Sequence, residues 1–551
     1  MTPLAVACLQ RDGPDDVVRL LLAAGANVSV VNRWAFTPLH WLALKSRATA
    51  AMMILETDKA NLALRTRYGE SILDFAAFEG DYELVRELLR RGASAQSVPG
   101  SDSALHWAVE AEKDDNLDGH GFTPLHWYMN RRGKENIVRL FLSRGADLNI
   151  QDDDGDTVLN CLAQNPEASE SMLRLLLENQ VGPILANNEG LTPVHELARN
   201  GLATHLRILL GTGVGADPSA KDKHNRQPIQ YAAKTNEGTI RALLDVGIDV
   251  DVTGSDWPSP IVYASSEASL QVLRLLLNGG ANAKSEDPGT PGWTALHAAC
   301  KRSDPDPAFA ELLIDRGADV NAVTKISKTT PLHNAVNSAA VVQLLLRGDA
   351  SVDLPDSDGK TPLMLACENA NSARVVEILL TAGADPNAED RFGFAPLMYC
   401  AIHAHPGAAL CLLQTTEVKI HHDETSTKTN ACMFAARHGS IEIVKLLIIH
   451  DATIVLKMNK HEDTALHEAC RNGHLGIVKL LLQTNASNVG SVNHKNRTPF
   501  EEAAAGGHTD IVAFMLERDD INPLRVSRRN LTPLLWAAWT GKQDLIEMLM
   551  A

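Results

Sequence analysis

Residues 123–149 read TPLHWYMNRRGKENIVRLFLSRGADLN, and this stretch decides the fold. Thr123 suits a helix N-cap, because its hydroxyl can accept from the first free amides. Pro124 stands at the first helical position, where a missing N–H costs nothing. The spacing Ile137-Val138-x-x-Phe141-Leu142 lays one apolar stripe along a second helix. Gly145 stands where that helix must stop and suits a left-handed C-cap. Working outward, TPLH returns at Thr37–His40 and Thr330–His333, TALH at Thr294 and Thr464, TPVH at Thr192 and SALH at Ser103. With weaker copies there are seventeen motif starts from Thr2 to Thr532, and every step but one is 31–36 residues. A fixed period of that size means one helix–turn–helix unit repeated in a stack.

The pattern T-P-L-H-x-A-A…I-V-x-x-L-L-x-x-G-A-D-x-N, seen again in LLIDRGADVN (312–321) and VVEILLTAGADPN (375–387), resembles the ankyrin repeat. The resemblance covers essentially the whole chain. It implies an all-α solenoid of stacked helix–turn–helix units joined by β-hairpin fingers. It also implies that His40, His126, His195, His297, His333 and His467 hydrogen-bond across the cap Thr and the adjoining repeat. Recurrence in phase favours this role over catalysis, since a catalytic histidine need occur only once. Gly80, Gly439 and Gly473 fall where first helices must end, and Gly92, Gly317 and Gly383 where second helices must end. In IEIVKLLIIH (441–450) Leu446 is expected on the apolar stripe, so that an arginine there would open a local block first. Asn149, Asn321 and Asn387 match positions hydroxylated in some ankyrin proteins; their first expected role is turn chemistry.

The 20-residue step from Ser103 to Thr123 breaks the ladder. It predicts an N-terminal repeat block over 1–113, a degenerate half-repeat loop and bend at 114–121, and the main array over 122–551. The proline- and glycine-rich stretches 254–260 and 285–292 read as long fingers, because the phase continues across them. Neither terminal repeat has the polar outer face of a cap, so end-to-end self-association, or a neighbouring segment, is an expectation.

The chain has 551 residues, 45% of them apolar and 22% charged, which excludes wholesale disorder. No stretch approaches a membrane span, and the start lacks the basic region of a signal peptide. The net charge of −17 has no sustained basic stripe beside it, so nucleic acid is not an expected partner. Eight cysteines without a CxxC pair read as reduced thiols, pointing to an intracellular protein, cytoplasmic or nuclear.

The search for chemistry returns no catalytic, cofactor or metal site. GTGVGADP (211–218) lacks the lysine and context of a phosphate loop. HEAC at His467 and HELA at His195 lack the second histidine of a zincin. DDDGD (152–156) places Ile150 and Cys161 where a calcium loop needs oxygen ligands. Cys400, His403, His405, Cys411, His421 and His422 lack a paired zinc spacing. Cys8, Cys300, Cys367 and Cys470 share one small core slot.

Binding is the remaining class. The slot after the motif His holds Trp41, Phe75, Trp107, Trp127, Tyr231, Tyr263, Tyr399, Phe434 and Trp536. A residue two places past the core-facing Leu lies about 200° round the helix, towards the fingers. These rings either fill the seam between adjacent first helices or line a groove for a partner. Trp34, Phe36, Phe122, Trp293 and Phe394 lie on or near the fingers. The expected contact surface is Trp34, Phe36, Trp41, Phe122, Trp127 and Trp293. The reading is a non-enzymatic scaffold or adaptor for a protein partner on the concave finger/first-helix face. Its alternatives are a regulatory or targeting region of a larger enzyme or channel, and a host-directed effector.

Overall fold

In the computed structural model, the described residues are 2–10, 13–67, 69–93, 124–129, 135–143, 145–252, 257–370, 372–484, 489–526 and 531–550. The chain divides into two compact units, Met1–Asn282 and Ala283–Ala551. The predicted half-repeat at 114–121 lies outside the described residues, as do Ser103, Trp107 and Phe122.

Each unit is a series of short helix pairs. In the first, Pro193–Arg199 is followed by Ala203–Gly211; in the second, Ala465–Arg471 is followed by Leu475–Gln483. Helices of seven to nine residues are too short to persist alone in water, so packing and capping must hold them. Packing comes from the predicted stripe: Leu197, Leu206 and Leu209 are fully buried, as are Val478 and Leu481. Each such burial contributes about 1.5–3 kcal/mol. First helices lie against first helices of the next repeat and second against second. The stripe needs one correction. In Ile441–His450 the fully buried leucine is Leu447, while Leu446 stays half-exposed. The apolar run is broad enough to hide a one-residue shift in phase.

The caps form as the sequence predicts. Thr37 Oγ1 accepts from His40 N at 3.3 Å, and Thr2 Oγ1 accepts from Ala5 N at 3.3 Å. Gly80, Gly439 and Gly473 end their first helices at φ +68°, +80° and +80°. In the second unit, residues 286–294 form the predicted long finger, with β1 (Glu286–Asp287) paired antiparallel to β2 (Thr290–Thr294). Cys8, Cys300, Cys367, Cys400 and Cys470 are all buried thiols. Burial pushes the Cys8 thiol up to about 12, so it behaves as a small apolar side chain.

Candidate protein-interaction surface

The surface is built on the motif histidine. In five repeats its Nδ1 accepts from the cap threonine's own N–H; for Thr192 and His195 the distance is 3.1 Å. In four of the five, Nε2–H then donates to a carbonyl of the following repeat; the expected onward bond of His40 does not form, its Nε2 being buried without a partner. His195 reaches Arg226 O at 3.1 Å, His297 reaches Thr329 O at 3.1 Å and His467 reaches Arg497 O at 3.1 Å. Holding both bonds requires a neutral ring, and burial lowers His126 and His297 to about 4. Ser71/Asp74, Thr157/Asn160 and Thr498/Glu501 make the same cap box without a histidine. Asn160 still donates onward, to Leu191 O at 3.1 Å. Glu501 cannot donate. There Arg525 of the next finger donates instead, to Glu501 Oε2 at 2.5 Å and Asn496 O at 2.9 Å.

With first helices tied to the next finger, the fingers bond to one another. In the first unit Arg67 N donates to Trp34 O at 2.9 Å and Asn188 N to Asp154 O at 2.8 Å. In the second unit Arg391 N donates to Asp358 O at 3.0 Å and His494 N to His461 O at 2.9 Å. The GADxN asparagines also bridge repeats, a role beyond the expected local turn. Asn149 Oδ1 accepts from Gly182 N at 2.6 Å, and Asn387 Oδ1 from Lys419 N at 2.7 Å.

The aromatic slot points to the fingers. Tyr231 and Tyr399 donate their hydroxyls to Asp222 at 2.7 Å and Asp390 at 2.5 Å. Phe75, Tyr231, Tyr399 and Phe434 are buried in the seams between repeats, while Trp41, Tyr263 and Trp536 are half-buried. Among the expected contact residues, Phe36 is buried, stacked on Trp41 at 4.6 Å and tilted against Phe75 at 5.4 Å. Trp34 is half-buried beneath the Arg33 guanidinium, 3.8 Å from the ring centre. Trp293 is half-buried and stacked on His297 at 5.3 Å. Phe122 and the side chain of Trp127 lie outside the described residues. Trp34, Phe36 and Trp41 thus belong to one neighbourhood of the first unit, and Trp293 belongs to the second.

Sequence reasoning missed Trp257 and Phe392. Trp257 gathers Tyr231 at 5.2 Å, Arg226 at 4.6 Å and Lys234 at 3.5 Å. Phe394, singled out from the sequence, packs inward against Phe434 at 5.4 Å, while Phe392 on the same finger is 58% exposed. Position within the finger carried that signal: Phe392 is two residues past the finger's anchor Asp390.

Among the described residues one trio brings potential ligand atoms within 4.8 Å of one another: His126, Asp152 and Cys161. It does not suit a metal. His126 Nε2 lies 3.0 Å from Asp156 O, the same interrepeat bond as in four other motif histidines, and burial holds the Cys161 thiol well above its ordinary value. DDDGD is a finger, with Asp152 Oδ1 accepting from the N–H groups of Asp154 and Asp156 at 3.0 and 2.8 Å. Cys161 occupies the slot that holds tyrosine after Asp222 and Asp390, so Asp152 Oδ2 is buried without a donor. Burial raises Asp152 to about 7. Near Cys400, His405 bonds Glu368 O, His421 bonds Asp451 and His422 bonds Gly393 O, each separately.

No helix among the described residues is long and apolar enough to cross a membrane. A family model described as Ankyrin repeats (3 copies) matches residues 4–99, 163–254, 231–324, 261–356, 303–390 and 397–491. A second, described as Ankyrin repeat, matches residues 120–153. The chain is similar to Transient receptor potential cation channel subfamily A member 1 of Homo sapiens, 26% identical over 366 residues, covering 54% of this chain and 32% of that protein. It is similar to Transient receptor potential cation channel subfamily V member 5 of Rattus norvegicus, 36% identical over 169 residues, covering 28% and 22%. It is also similar to E3 ubiquitin-protein ligase KEG of Arabidopsis thaliana, 26% identical over 345 residues, covering 60% and 18%. The chain thus spans about a fifth to a third of the length of these relatives. Repeat models and interrepeat geometry agree along most of the sequence, and the chain belongs to the ankyrin repeat family.

Proposed function

We propose that this chain is a non-enzymatic, intracellular scaffold or adaptor that holds a protein partner on its concave finger/first-helix face. The observation that carries the reading is the division of labour within each repeat. Caps, histidine bonds and finger-to-finger bonds fix the framework, while the finger and aromatic-slot side chains differ from repeat to repeat. Such a surface is rigid and individually shaped, which suits recognition of one partner. Trp34, Phe36, Trp41 and Trp293, with Phe122 and Trp127 from the sequence, form the proposed contact set. The division into 1–113, 114–121 and 122–551 belongs to the same reading.

A second reading is favoured by the relatives. They include cation channels and a ubiquitin ligase, and this chain matches a third or less of each. On that reading the array is the regulatory or targeting region of a larger protein. One comparison tests the contact set. Affinity capture from the native cell with the wild type is set beside Trp34→Ala/Trp41→Ala and Phe122→Ala/Trp127→Ala. Loss of a captured partner with an unchanged melting temperature supports the set. Retained capture with a lowered melting temperature would assign the rings to packing alone.

A further inference from the structure

In the second unit the finger edge carries a charge opposite to that of the whole chain. Each finger has an anchor residue whose successor donates its N–H to the preceding finger. These donors are Lys325, Ser357, Arg391, Thr425, Lys460 and His494, at 2.7–3.1 Å, in unbroken succession. The six bonds hold seven consecutive fingers in register, starting from the finger of Pro291. Six exposed side chains at their tips are cationic, Lys325, Lys328, Arg391, Lys428, Lys460 and Lys495, against two exposed carboxylates, Asp358 and Glu462. Lys325 and Arg391 are partly neutralised by Glu286 at 3.3 Å and Asp358 at 3.2 Å. The other four have no carboxylate within ion-pair distance among the described residues. Two large apolar side chains stand on the same edge, Ile326 at 80% exposure and Phe392 at 58%.

We propose that this edge binds an extended acidic peptide segment bearing spaced apolar side chains. The inference rests on the protein-interaction reading and specifies a partner for it. Charge complementarity selects the acidic partner, in a chain whose net charge is −17. The interruptions select peptide over polyphosphate. Asp358, Glu462, Ile326 and Phe392 stand between the cations, whereas nucleic acid rewards a continuous cationic stripe. Geometry sets the register. Stacked repeats advance about 8–10 Å and an extended chain about 3.3 Å per residue, so each finger meets about three peptide residues. An acidic residue about every third position would track the cations. Apolar residues about six positions apart would meet Ile326 and Phe392, and the whole edge would take about fifteen residues.

The test uses the full chain and fluorescence anisotropy. One labelled probe is a peptide of about fifteen residues with glutamate at every third position and two leucines six apart. The others are the same peptide with glutamine for glutamate, and an oligothymidylate of equal length. Saturable binding of the acidic peptide is expected, about tenfold or more tighter than the glutamine peptide and weakening as salt shortens the Debye length. The triple variant K428E/K460E/K495E should lose about tenfold or more, and Phe392→Ala about threefold to tenfold, with melting temperatures unchanged. Preference for oligothymidylate, or wild-type peptide binding by the triple variant, would overturn the proposal. If the acidic peptide fails to bind while partner capture through Trp34 and Trp41 persists, the edge proposal falls and the scaffold reading stands.

Discussion

Two junctions in this chain occupy the same slots of the repeat and solve the burial of carboxylates in opposite ways. In the first unit Asp156, just before its cap Thr157, accepts from Gln164 Nε2 and Asn187 Nδ2, each at 2.8 Å. Glu196 is buried beside it, with only Arg199 at 3.9 Å as a cation. Burial therefore wins, and Asp156 and Glu196 both rise above the ordinary carboxylate range. In the second unit Asp463 precedes Thr464 in the same way, but Arg471 stands where the first junction has Gln164. Its guanidinium bonds Asp463 at 2.6 Å, Glu468 at 3.2 Å and Glu502 at 3.1 Å, while Arg437 bonds Glu468 at 2.9 Å. Burial also pushes Asp463 and Glu502 up, but the Arg471 and Asn493 donors outweigh it and hold both below the ordinary range. The repeat backbone supplies a polar pocket at every junction. One side chain per pocket decides whether its carboxylates are compensated.

That comparison breaks most visibly at Arg471. Arg471→Gln should leave Asp463, Glu468 and Glu502 buried without their shared cation, at a cost of about 3–5 kcal/mol. Because a repeat stack is stabilised by its nearest neighbours, the loss should centre on residues 459–506 in amide hydrogen exchange. An unchanged exchange pattern there would sink the claim that Arg471 is the shared cation of the cluster, with Arg437 and Arg497 reaching only Glu468 and Glu502. The reciprocal change, Gln164→Arg, should stabilise residues 152–211 by about 1–2 kcal/mol through charge-assisted bonds to Asp156 and Glu196.

The smallest effect is a dependence on pH. Asp152 is raised to about 7, so its contribution to stability is full below its unfolded value near 3.8 and is lost as pH rises through 7. Asp463 and Glu502 run the other way: theirs is present above the unfolded carboxylate range and is lost as pH falls through their lowered values. His126, lowered to about 4, loses stability below its unfolded value of 6.5 and partly masks Asp152. Asp152→Asn isolates the aspartate. It should stabilise its segment by about 1 kcal/mol at pH 8, where the wild type buries an unpaired charge. The gain should shrink at pH 5.5. A gain independent of pH between 5.5 and 8 would mean that Asp152 is already ionised in the folded protein at pH 5.5 and that burial does not raise it.

Much of this was legible beforehand because it repeats. Thr37, Thr192 and Thr464 could be named as caps, and His195 and His467 as interrepeat donors, since the same letters recur at one phase. Cys300 and Cys470 could be placed in the core because alanine usually stands in their slot. Legibility failed where one residue acts alone. Leu446 and Leu447 are indistinguishable in an apolar run, and only packing shows that Leu447 faces inward. Phe392 and Phe394 are two letters apart on one finger, yet one meets solvent and the other the seam.

The sequence by itself determined the repeat, its capped helices and the family, because local propensity and periodicity are written along the chain. Tertiary structure alone decided which side chains from different repeats meet. Arg471 compensates Glu502 across 31 positions, and Lys325, Arg391 and Lys460 share an edge only because successive fingers bond backbone to backbone. Coulomb and contact energies depend on distance in space, and the sequence records only distance along the chain.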